Sequence, residues 1–174
     1  TPGHINWNNN IISGLPASAD PTGGARLTNT QKSNLNEKNA NYIDYIAGTN
    51  VFRMGRSVSG IRIGELRSRD FLVAKITTAY QNKLINSKVV PYTDSGINEM
   101  RSVLKSVLDS TVTTPAQPNI LQDINPYTTF FPKRIDVSFS DLASGTLNGS
   151  FVAYLAGAID IIKVEGTLTY ELSA

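Results

Sequence analysis

Two apolar stripes of helical spacing, separated by a proline, restrict this chain more than any other feature. Leu72, Ile76, Tyr80 and Leu84 recur at every fourth residue, which puts them on one face of a helix predicted over 67–85. Ile97, Met100, Leu104 and Val107 form a second stripe, with Arg101, Lys105 and Asp109 elsewhere on the same predicted helix. Between them Pro91 ends helical geometry, because its ring removes an amide donor and restricts Val90 before it. Thr93 or Asp94 is placed to cap the second helix. Two one-sided helices of this kind must cover an apolar surface.

The alternation farther along predicts that surface to be a sheet. Ile135, Val137 and Phe139 alternate with Arg134, Asp136, Ser138 and Ser140, the period of a strand with one buried face. Phe151 to Leu155 supplies another apolar segment, and Ala156-Gly157-Ala158 a bend. From Ile162 the chain alternates again: Ile162, Val164, Leu168, Tyr170 and Leu172 on one face, Lys163, Glu165, Thr167, Thr169 and Glu171 on the other, with Gly166 in mid-run. A strand over 162–172 spans roughly 35 Å, long for a domain of this size. The expected fold class is therefore α/β in the α+β sense, two helices packed on a mixed or antiparallel sheet, with a long C-terminal strand.

The N-terminal region reads differently. Residues 1–27 are rich in Asn, Gly, Pro and Ser, with isolated apolar anchors at Ile5, Trp7, Ile11, Ile12 and Leu15. That composition predicts an irregular extended arm, leaving 28–174 as a single domain. Thr28 and Gln31 have capping-box spacing and predict a helix over 29–45, ended by Gly48, with Leu35, Tyr42, Ile43 and Ile46 as its thin apolar face. Short strands are predicted at 49–54 and 57–63, with bends at Gly55 and Gly60.

Residue types restrict the chemistry. The 174 residues contain no cysteine, which removes disulfides, thiol nucleophiles and thiolate metal sites. The single histidine is His4, in the arm, a poor place for a zinc site or a Ser-His-Asp triad. Sixteen basic and fourteen acidic residues leave a formal charge of +2; they are interleaved, a solvated surface and not a nucleic-acid footprint. Glu65, Arg67, Arg69 and Asp70 suggest helix-surface ion pairs before an anion clamp. Pro21-Thr22-Gly23-Gly24 lacks the lysine and hydroxyl of a phosphate loop. Asp44, Glu65, Asp70, Asp94, Glu99 and Asp160 include no marked catalytic pair, and the seven tyrosines are dispersed. No catalytic residue, cofactor or metal site is expected, and no run of apolar residues has the length of a membrane span.

Several segments together resemble a known family. Asn41-Tyr42, Gly48, Gly60, Arg62 and Asp70-Phe71-Leu72 precede Pro91-Tyr92-Thr93-Asp94-Ser95-Gly96-Ile97; the chain then closes with Phe151-Val152-Ala153-Tyr154-Leu155-Ala156-Gly157-Ala158-Ile159 and Lys163-Val164-Glu165-Gly166-Thr167-Leu168. This order resembles the C-terminal portion of sheath-like proteins of contractile phage tails, most over 39–108 and 150–172 and only loosely over 1–38 and 110–148. The resemblance implies a structural virion protein with no catalytic role, a subunit of the sheath that drives genome delivery by contraction. It implies further copies of the chain in stacked rings, a tail tube protein and a baseplate as partners, without membrane or direct nucleic-acid contact, and assembly in the host cytoplasm. It also implies strands exchanged between subunits, with Ile162, Val164, Gly166, Thr167, Leu168, Thr169, Tyr170 and Leu172 as inter-subunit strand candidates. A chain opening on Thr1-Pro2 and resembling only that portion is expected to be a fragment or processed product. A surface binding or adhesin-type module is the alternative that composition also allows.

Overall fold

The computed structural model describes residues 7–18, 26–114, 119–158, 163 and 165. In chain order the elements are β1 (Asn10–Ile11), α1 (Asn29–Glu37), β2 (Tyr42–Ile46), β3 (Thr49–Arg53), α2 (Ile63–Asn86), α3 (Asp94–Asp109), β4 (Tyr127–Phe130), a 3-10 turn (Arg134–Asp136), α4 (Phe139–Ser144) and β5 (Ser150–Ala153). The fold is α+β, with two small antiparallel sheets ordered β1-β3-β2 and β4-β5.

The two stripes form the helical pair. Helix α3 packs along α2, with Leu104 and Leu108 buried against Leu72 and with Ile76 and Tyr80 alongside. Ile120 and Leu121, in the connection to β4, complete this core at 3% and 0% exposure, and Tyr127 of β4, Phe131 just after it and Ala153 of β5 pack on it. The stripe on α2 does not stay covered to its end. A Lys83–Glu99 ion pair joins α2 to the first half of α3; beyond it Leu84 is exposed, because little of α3 remains to pack on it.

The Pro91–Ile97 segment is a joint whose residues each have a task. Thr93 Oγ1 accepts from the Gly96 amide at 3.3 Å and caps α3, as expected. A Cβ on Gly96 would strike the Pro91 carbonyl oxygen, so the chain folds back on itself only with glycine there. The Tyr92 hydroxyl donates to the Thr146 carbonyl at 2.7 Å, and an Asp94 carboxylate oxygen accepts from the Arg134 amide at 2.6 Å. The start of α3 is thereby fastened to the segment on either side of α4.

Three sequence expectations are corrected. The capping box of Thr28 and Gln31 is present, but α1 ends at Glu37. Asn39 takes a positive φ of 53°, which breaks the helix, and Tyr42–Ile46 is strand β2. Gly48 is consequently a hairpin residue: Ile46 pairs with Thr49, and Ala47 and Gly48 between them both have positive φ, as a type I′ turn requires. The expected strand at 57–63 is a turn closed by the Ser57 amide on the Ile61 carbonyl at 2.8 Å, with one bridge between Arg56 and Arg62. The alternating run at 134–140 is not a strand either. Ser138 Oγ accepts from the Asp141 amide at 3.1 Å and donates to its carboxylate, and this local cap nucleates α4. Ile135 and Phe139 are left 86% and 87% exposed.

The arm is partly ordered against the first hairpin. β1 pairs with β3, Asn10 opposite Phe52 and Ile11 opposite Val51. Trp7 packs edge-on to Phe52 with Arg67 over its ring, tying the arm to α2 as well.

Candidate functional site

The β4–β5 pair presents an edge that is open among the described residues, beside an apolar groove. Antiparallel pairing sets Thr128 opposite Val152 and Phe130 opposite Ser150, and the Tyr154 amide donates to the Pro126 carbonyl at 2.9 Å. Alternate residues of a strand direct their backbone groups to opposite edges. Hence Ser150, Val152 and Tyr154 face β4, while Phe151 and Ala153 direct theirs away from it. Among the described residues no strand pairs with that outer edge of β5. The nearby segment 120–122 does not cover it either: Gln122 donates to the Tyr154 carbonyl at 3.0 Å and Ala156 to the Ile120 carbonyl at 2.9 Å, both on the β4 side.

Between this edge and α2 lies a groove of about 370 Å³. β5 contributes Phe151 and Ala153, and Leu155 follows two residues past it; α2 contributes Leu66, Leu72 and Val73, with Ile61, Glu65 and Arg69 completing the lining. Phe151, Leu155, Val73 and Ile61 are between 40% and 58% exposed, so the groove has apolar walls facing solvent. The Arg69–Asp70 contact at 3.2 Å joins two exposed side chains adjacent in sequence, a weak surface contact and not the three- to four-residue spacing on which the expected ion pairing rests. An open strand edge over an apolar slot can take an added strand, whose main chain bonds to β5 while alternate side chains enter the slot.

In the other sheet, β3 and the outer side of β2 are engaged. β1 covers one edge of β3. On the far edge of β2, Ser18 accepts from the Ile43 amide through Oγ at 3.0 Å and donates its own amide to the Ile43 carbonyl at 2.9 Å. The neighbouring outward amide, that of Tyr45, donates to the Asp44 carboxylate at 2.9 Å.

The eight inter-subunit strand candidates, Ile162, Val164, Gly166, Thr167, Leu168, Thr169, Tyr170 and Leu172, lie outside the described residues. Sequence reasoning pointed to a donor strand and missed the acceptor, since Phe151–Leu155 alone gives no sign of which edge stays unpaired. Among the described residues, no group of three or more His, Cys, Asp or Glu could hold a metal ion, and no helix is long and apolar enough to cross a membrane. The perturbed titrating groups lie in the packing, not in the groove lining. Burial raises Tyr80, and burial together with the hydrogen bond to Asp109 and its charge pushes Tyr127 up to about 12.

Solved structures share this architecture. A chain in the cryo-electron microscopy structure of the anti-feeding prophage baseplate, six-fold symmetrised, is similar over 94% of this chain, with a TM-score of 0.65 and 17% identity. The match covers 45% of that chain, so the present chain spans less than half the length of the protein it resembles. At this identity the likeness shows the fold. No protein-family model matches the sequence, and no curated protein matches it either.

Proposed function

We propose that this chain is part of a structural subunit of a contractile injection machine, the C-terminal portion of a sheath-like protein. In this reading residues 28–174 are its domain, 1–27 its arm, and the open edge of β5 receives a strand from a neighbouring copy. The subunit then stacks in rings around a tube protein above a baseplate, in a phage-tail-like particle assembled in the host cytoplasm. The observation that carries the reading is the β5 edge over the groove against α2, which has no strand partner among the described residues. The shared architecture with a chain from a contractile prophage baseplate supports it.

Electron microscopy of the full-length parent protein, expressed alone, tests the class. Tubes or stacked rings are expected, and a protein that stays monomeric at high concentration would overturn the sheath reading. Replacing both Thr167 and Thr169 by proline removes two amide donors from the expected donor strand without deleting an apolar anchor. The doubly substituted parent is expected to fold with an unchanged circular dichroism spectrum and to form no stable tubes. Normal tubes from that variant would remove 162–172 as the donor.

A further inference from the structure

We propose that Asn148 is a modification site, at which the Asn148–Gly149 unit converts spontaneously to aspartate and isoaspartate. The chemistry is internal. The Gly149 backbone nitrogen attacks the Asn148 side-chain carbonyl carbon, a nitrogen–carbon bond forms, and the amide leaves as ammonia. Solvent water then opens the five-membered imide at one of its two carbonyls, giving either aspartate or isoaspartate with one added negative charge. The ring closes most readily when the following residue has no side chain and when the main chain around it is free to turn.

Both conditions are met here. Asn148 and Gly149 are exposed and lie between α4 and β5, outside any helix or strand. Among the described residues neither takes part in a hydrogen bond, so the attacking amide is unengaged. The segment is held just outside them, by the Tyr92 hydroxyl on the Thr146 carbonyl and by the pairing of Ser150 with Phe130. Asn86–Ser87 is an informative contrast. It too is exposed at Asn86, yet Asn86 Nδ2 donates to the Asn82 carbonyl at 2.8 Å and the Ser87 amide to the Lys83 carbonyl at 3.0 Å.

The isoaspartyl product places one extra methylene in the main chain directly before β5. That displacement acts where Gly149 runs close against the Phe131 ring, whose Cε1 would lie 2.5 Å from a Cβ built on Gly149. Phe131 packs on the core beside Ala153, so the change is delivered to the strand that lines the groove.

Peptide mapping of the folded protein through an incubation in mildly alkaline buffer tests the site. The amide-to-acid mass change is expected at Asn148 before any other asparagine, with isoaspartate detected there by enzymatic methyl transfer, and Asn148→Gln should abolish both signals. In denaturant Asn86 should accelerate while Asn148 changes little. Conversion at Asn148 no faster than at Asn86 in the folded protein, or a large acceleration of Asn148 on unfolding, would overturn the proposal. The products can be separated by anion exchange and melted beside Asn148→Asp. The isoaspartyl form is expected to melt below the aspartyl form, and equal melting would remove the claim of strand displacement. Neither measurement depends on assembly, so this site and the sheath reading fail separately.

Discussion

At Gly96 the first turn of α3 meets the carbonyl oxygen of Pro91, and any side chain collides with backbone that cannot swing aside. Gly96→Ala is therefore expected to destabilise the protein by about 1–3 kcal/mol, measured by urea unfolding, although alanine is ordinarily the better helix former. A more stable variant would show that Pro91 moves freely. Tyr127 gives a prediction in pH. Its folded value stands above the ordinary 10 and reaches about 12, so the folded state keeps the phenol proton longer than the unfolded chain does. The resulting stabilisation is full below pH 10 and is lost as pH rises through 10 towards about 12. Tyr80 shifts in the same direction. Tyr127→Phe should flatten the fall in unfolding free energy over that interval, and a fall as steep as in the parent would reject the assignment.

Among the elements, the helical pair was legible and the strands were less so. Ile97, Leu104 and Val107 are buried as their spacing requires, because a helix must repeat that spacing over several turns before it buries one face. Ile135, Val137 and Phe139 repeat a two-residue period only briefly, and one serine cap outweighs it. Ile120 and Leu121 show the opposite failure. Two adjacent apolar residues have no period, and their burial comes from distant partners, the Leu121 bridges to Val112 and Leu155. The candidate site was half legible for the same reason: alternation marks a possible strand but not which of its edges is left open. Leu104→Ala is expected to cost about 2–5 kcal/mol, whereas Ile135→Ala should fall within about 0.5 kcal/mol of the parent. Equal effects in thermal unfolding would mean that the exposure at 135 is wrongly assigned.

Across the whole molecule, the arm joins parts distant in sequence. A Cβ on Gly55 would lie 2.6 Å from the Asn8 nitrogen and 3.0 Å from the Trp7 Cβ, and Gly55 also has a φ of +59°, where a side chain is strained. Gly55→Ala should displace the arm from β3 while leaving the α2–α3 core folded. Trp7 is the only tryptophan, so the release should appear as a red shift of fluorescence with little loss of helical circular dichroism. An unshifted spectrum would mean that the arm accommodates the methyl group. The contrast between the two sheets has a consequence in the language of polymer growth. One sheet carries the arm along β3 and side-chain bonds along β2, and in the other the outer edge of β5 has no partner among the described residues, so on the proposed reading that edge is each subunit's acceptor. A free peptide of residues 162–172 would act as a chain stopper, shortening tubes in proportion to its concentration without cross-linking them.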